Sequence, residues 1–205
     1  LAEGLDAGVA GLDPLLAGVR AFVETQQPGL ASLAERVAAW TARANPGAPM
    51  AAAGEPLRLS ATMLALASLR TEPNVRAEQA AQWALRKRWI GLDAAGRAMI
   101  AMAVLANSGK TAIPPEMLRL APIGLLREAQ AWGLATRLAR RLSGGLAEAF
   151  AGASLTVAGR ELVLTMRSDM AVLYTDASAK DLRVLAECLG LQPSFQSMPQ
   201  GVALP

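Results

Sequence analysis

The chain runs to 205 residues, 53% of them hydrophobic and only 4% aromatic, so its core must be built mainly from Ala, Leu, Val and Met with a few Trp. It has no histidine and one cysteine, Cys188. That composition excludes imidazole acid–base chemistry, Ser–His and Cys–His nucleophile pairs, His- or thiolate-ligated zinc and an internal disulfide, leaving carboxylate or lysine mechanisms. Basic residues exceed acidic ones by 20 to 17, a net charge of +3 that permits an anionic partner without requiring one.

The length suits one large domain or a helical domain with a small appendage. No apolar run reaches the roughly 18–20 residues of a membrane span, and Leu1 to Pro14 carries acids early, without the basic start of a secretory leader. With a lone cysteine, this predicts a soluble, cytoplasmic chain with no membrane partner.

Asp13-Pro14 reads as an N-cap followed by proline at the first helical position. Leu15, Leu16, Val19, Phe22 and Val23 then recur at helical spacing as far as Gln26-Gln27, before Pro28. A second helix carries Leu30, Leu33, Val37 and Trp40 on one face, and Asn45 to Pro56 is a Pro- and Gly-rich loop that could mark a sub-domain boundary. Leu57 to Leu69 is apolar on nearly every side, which places that helix in the middle of a bundle.

Thr71 to Asn74 breaks it, and Arg76 to Ile90 resumes as a helix with Ala80, Trp83 and Ala84 inward. Gly91-Leu92 ends that element. Asp93 caps the next, which runs to about Asn107 and stops at Gly109. Pro114-Pro115 starts a short helix, and a long one follows Pro122 as far as Ser143-Gly144-Gly145.

The pattern then changes period. Ser154 to Ala158, a turn at Gly159-Arg160, and Glu161 to Met166 read as a β-hairpin, with Met170 to Tyr174 as a candidate third strand. Ser178 is the expected cap of a last helix with Leu182, Leu185, Cys188 and Leu189 inward, ended by Gly190. The expected organisation is mostly α: a helical bundle over 1–150, a small ββ(β)α cap over 151–192, and an irregular tail over 193–205.

Four features invite a chemical reading. Ser108-Gly109-Lys110-Thr111 is rejected as a phosphate loop, because Val104 stands where the motif needs glycine and a helix precedes it instead of a strand. Arg86-Lys87-Arg88, flanked by Trp83 and Trp89, looks like a nucleic-acid surface; the preferred reading turns the tryptophans to the core and leaves the basic residues on a solvated face. Arg137, Arg140 and Arg141 share one helical face with no acid on that turn. They either hold a polyanion or answer the dipole at a helix C-terminus. Asp169, Asp176 and Asp181 are read as turn and cap residues in preference to a magnesium site, and Cys188 as a small core residue.

Several short segments together carry a family resemblance. Arg76-Ala77-Glu78, Trp89 to Asp93, Gly96-Arg97, and Trp132-Gly133-Leu134 through Arg137-Leu138 to Arg141-Leu142-Ser143-Gly144-Gly145 resemble the C-terminal region of the Ppx/GppA family, the exopolyphosphatases and guanosine pentaphosphate phosphohydrolases. Glu3-Gly4 is similar to a seam that follows that family's catalytic domain, with Ala2 where arginine is expected. The resemblance covers roughly Leu1 to Pro193.

It implies a helical domain related to HD phosphohydrolases, closed by a small α/β cap, behind an actin-like phosphatase domain that carries the catalytic glutamate and glycine-rich phosphate loops. Leu64 to Arg70 falls where the family has its histidine- and aspartate-bearing segment, so the HD metal-ligand positions are lost. The implied chain is a non-catalytic part of a hydrolase. Its partners are the N-terminal phosphatase domain of the same polypeptide, polyphosphate or a phosphorylated guanosine nucleotide, and a second copy in a homodimer. It needs no cofactor of its own, magnesium belonging to the parent's catalytic domain. Arg86, Lys87, Arg88, Arg97, Arg137, Arg140 and Arg141 are the candidate polyanion-binding residues. The alternative is a free-standing basic helical module that binds nucleic acid or another protein.

Overall fold

The computed structural model describes residues 13–44, 54–144 and 147–199. Six helices form the bundle: α1 (Pro14–Gln26), α2 (Leu30–Thr41), α3 (Glu55–Ala67), α4 (Pro73–Arg86), α5 (Ala94–Asn107) and α6 (Ile123–Ser143). Strands β1 (Ala153–Ala158) and β2 (Glu161–Arg167), helix α7 (Asp176–Leu189) and strand β3 (Gln192–Met198) follow. The expected Glu3-Gly4 seam, most of the 45–56 loop, and the tail from Gln200 lie outside the described residues.

Local chemistry sets the helix starts. The Asp13 carboxylate accepts the Leu16 N–H at 2.9 Å, and that of Asp93 accepts Gly96 N–H at 2.7 Å, so each satisfies an orphan donor of the first turn. α2 begins behind Gly29, which has no side chain to cap with, and Glu24 of α1 supplies the acceptor instead. Its carboxylate takes the Gly29 and Ala31 N–H groups at 2.8 and 2.9 Å. Those two bonds hold the Glu24 carboxyl below the usual carboxylate range.

The core is centred on α3 and α5. Every residue from Ser60 to Ala67 and from Ala98 to Asn107 is buried, and α5 lies against α3, α4 and α6. Alanine lets these helices approach closely. The tightest point is Gly133 of α6: a Cβ there would stand 2.0 Å from the Ala103 carbonyl oxygen and 2.8 Å from the Ala106 Cβ.

The sheet has the order β1-β2-β3, with β2 antiparallel to β1 and parallel to β3. Leu155 faces Leu164 across the hairpin, and Gly159, at φ 59, supplies the positive dihedral that its two-residue turn requires. β2 is the central strand, buried from Leu162 to Met166 on both faces. α7 is the crossover that carries the chain from β2 to parallel β3, and it packs on α6 as well as on the sheet. Trp40 of α2 fastens the other side, donating its indole N–H to the Ala153 carbonyl at 2.8 Å.

Several expectations need correction. Met170 to Tyr174 is not a strand: Ser168–Leu173 winds as a 3-10 helix, with Val172 81% exposed, bridging the end of β2 to the start of α7. The third strand is Gln192–Met198, where irregular coil was expected. Its polar composition and Pro193 hide it, but an edge strand tolerates both, and Phe195 stacks on Tyr174 with ring centroids 3.8 Å apart.

α4 starts at Pro73 instead of Arg76, since proline at the first position gives up only an orphan N–H, and it ends at Arg86 instead of Ile90. The cap of α7 is Thr175, not Ser178, whose hydroxyl is turned inward to the Leu173 carbonyl at 3.1 Å. Pro114-Pro115 leads only to a 3-10 turn at Met117–Arg119.

Replacing Gly133 by alanine should destabilise the chain by about 1–3 kcal/mol, because overpacking at Ala103 outweighs the gain in helix propensity. Urea unfolding checks this: the midpoint should fall with an unchanged slope.

Candidate anion-binding surface

Arginines in this bundle have a recurrent occupation. The last carbonyls of a helix lack intrahelical donors and carry partial negative charge, and guanidiniums reach them from elsewhere in the chain. Arg58 donates to Ala38 O, near the end of α2, at 2.9 Å. Arg76 donates to Leu69 and Thr71 O, just past α3, at 3.1 and 3.2 Å. Arg97 donates to Ala84, Leu85 and Lys87 O, around the end of α4, at 3.1, 3.4 and 2.8 Å. Arg137 donates to Asn107 O, the last residue of α5, at 3.3 Å.

The seven candidate residues therefore fall into two places. Arg86, Lys87 and Arg88 are exposed where α4 ends and the chain turns extended. Lys87 sends its ammonium over the Phe22 ring, 4.6 Å from the centroid, and near the Trp89 ring at 5.6 Å. Trp89 is 6% exposed, and its indole N–H bonds the Trp83 carbonyl at 2.9 Å. Phe22 meets both tryptophans edge-on at 5.3 and 5.8 Å. The aromatic rings serve the core, and the basic triplet lies outside it. Arg97 is close in sequence but is occupied with the α4 carbonyls.

Arg137 and Arg141 project from the last turns of α6 toward α7. Asp181 of α7, 8% exposed, receives Arg137 Nε at 2.9 Å on one carboxylate oxygen and Arg141 Nε at 2.6 Å on the other. Asp181 is thus not a capping residue, as the sequence reading had it, but the carboxylate shared by two guanidiniums. Arg140 lies between those two along the chain, and its Nε is buried without a hydrogen-bond partner among the described residues. Burial, and then the cations of Arg137, Arg141 and Arg76, pull its guanidinium below the ordinary arginine value, with Asp181 opposing.

The remaining candidates are placed elsewhere. Ser108-Gly109-Lys110-Thr111 follows the C-terminus of α5, the carbonyl end of a helix, which is the wrong polarity for a phosphate loop. Gly109 instead leaves room for Arg137, whose Nη1 would stand 3.1 Å from a Cβ there. Asp169 pairs with Arg167, and Asp176 is exposed in the first turn of α7. Among the described residues no three His, Cys, Asp or Glu side chains gather to hold a metal, and no helix is long and apolar enough to cross a membrane. Burial pushes the Cys188 thiol up, as expected of a small apolar residue.

Two participants escaped the sequence reading: Arg76 as a neighbour of Arg140, and Asp181 as a partner. The second had a signal. Asp181 precedes Leu182 and stands four residues before Leu185, inside the apolar stripe of α7, and a carboxylate there needs a cation. No known family model and no curated protein matches the chain.

Asp181→Asn should cost roughly 2–4 kcal/mol in chemical unfolding. That is less than the removal of one partner from a fully buried pair, because Arg137 and Arg141 keep 24% and 31% of their side chains exposed. Arg97→Met should cost about 1–3 kcal/mol from lost bonds to the α4 carbonyls, and should leave polyphosphate affinity within twofold of the parent chain.

Proposed function

We propose that the chain is a non-catalytic accessory region that holds a phosphate polyanion for a phosphatase of the exopolyphosphatase or guanosine pentaphosphate phosphohydrolase type. In this reading the α1–α6 bundle is an HD-related domain without its metal ligands, and the sheet with α7 is the small cap of that family. An upstream actin-like domain of the same cytoplasmic polypeptide would carry the catalytic groups and magnesium, and a second copy would complete a dimer.

The observation that carries the proposal is the uneven use of positive charge. Arg97, Arg137 and Arg141 are committed inside the structure, whereas Arg86, Lys87, Arg88 and Arg140 have no ion-pair partner among the described residues. Exposed cations without carboxylates attract a polyanion by releasing its counterions. The resemblance of the Arg76–Arg97 and Trp132–Gly145 stretches supplies the class of polyanion. A nucleic-acid module would want stacking platforms, and the burial of Trp89 against Phe22 gives it less support.

Long-chain polyphosphate should bind the 205-residue chain with an affinity that falls on the order of 10–100-fold between 50 and 200 mM salt. The double variant Arg86→Ala, Arg88→Ala should weaken binding at least several-fold. Phosphate release should stay at the buffer rate. Flat titrations at low salt, or single-stranded DNA outcompeting polyphosphate, would remove the reading.

A further inference from the structure

Arg140 is out of keeping with the other arginines around it. Arg76 and Arg137 reach terminal carbonyls, and Arg137 and Arg141 share Asp181. Arg140 has its Nε buried and unpartnered, on the same helix face. A buried guanidinium N–H with no acceptor loses hydration without recovering it, and the charges acting on Arg140 are mostly of its own sign. Two of the neighbouring guanidiniums, those of Arg137 and Arg141, already share the single carboxylate of Asp181, and the cation of Arg76 adds to the positive field at Arg140.

Such an arrangement is unfavourable by itself and is relieved by an anion. A doubly charged tetrahedral oxyanion offers acceptors in several directions at once, which suits neighbouring planar N–H forks better than a single carboxylate does. The anchoring of Arg137 and Arg141 by Asp181 keeps the neighbouring forks in place beforehand, so little side-chain entropy is lost when the anion arrives.

We propose that Arg137, Arg140 and Arg141 form a discrete site for one phosphoryl group, with Arg140 as its principal ligand. The site lies at the α6–α7 seam, separate from the exposed triplet Arg86-Lys87-Arg88. It rests on the polyanion reading only for the choice of phosphate as the anion. The phosphoryl group is either a polyphosphate end or a free phosphate ion.

Thermal unfolding of the whole chain at constant ionic strength tests it, with orthophosphate, tripolyphosphate and acetate as probes. At a hundredfold excess over Kd, orthophosphate or tripolyphosphate should raise Tm by about 5–10 °C, and acetate should not. Arg140→Met should abolish that rise while leaving Tm in phosphate-free buffer equal or higher, since it removes an unpaired charge and keeps the apolar stem. Arg88→Met should retain the rise.

A merely structural Arg140 would give the opposite pattern, with a lower Tm without phosphate and an unchanged phosphate response, and that overturns the proposal. If Arg140→Met does not fold, Arg140→Lys decides: an orthophosphate Kd roughly tenfold weaker supports the site, because an ammonium cannot fork, and an unchanged Kd overturns it. Orthophosphate alone sufficing identifies the free ion as a ligand; a response confined to tripolyphosphate identifies a chain end.

The two proposals fail separately. Salt-sensitive binding of long polyphosphate with no Arg140-dependent phosphate response sinks the site alone. An Arg140-dependent response with no tighter binding of long chains sinks the polyanion reading alone.

Discussion

Asp181 brings one carboxylate into the contact between α6 and α7, where guanidiniums from successive turns of α6 close on its two oxygens. A carboxylate in that apolar setting would be costly alone, and cations spaced as Arg137 and Arg141 are would repel one another alone. Each cost is met by the other. The contact also has a mechanical meaning, because α7 is the crossover between β2 and β3. Fixing α7 on α6 fixes how the sheet sits on the bundle, and the Trp40 bond to Ala153 holds the opposite end.

The same chemistry explains why several arginines of the bundle are not available to a partner. Terminal carbonyls of α2, α4 and α5, and those just past α3, are acceptors awaiting donors, and Arg58, Arg97, Arg137 and Arg76 fill them. Arginine suits this duty because its stem lies along apolar surface while several N–H groups reach separate oxygens. Net charge therefore overstates what is available to a partner. Of the seven candidate cations, what remains is the triplet at the end of α4 and the guanidinium of Arg140.

Much of the fold was legible from short-range chemistry. Asp13 and Asp93 announced their helices as caps, the stretch from Leu57 to Leu69, apolar on nearly every side, announced a central helix, and the Gly159 turn announced the hairpin. What was not legible depends on distant partners. β3 is recognisable as a strand only beside β2, since its own residues neither alternate nor avoid proline. α4 stops at Arg86 because Trp89 turns back to pack with Phe22 and Arg97 arrives to take the carbonyls. Of the site, the arginine face of α6 was visible in the spacing, but its division into committed and uncommitted members required Asp181, on an element 40 residues or more away in sequence.

The seam where Gly133 meets Ala103 reverses the usual sensitivity of a protein interior. Cores built from leucine and phenylalanine suffer most when atoms are removed. Here the backbones already touch through glycine and alanine, so little can be taken away and almost nothing can be added. Sequence drift along the α5–α6 line is one-sided: growth in volume is closed to it, and at Gly133 even one methyl counts as growth.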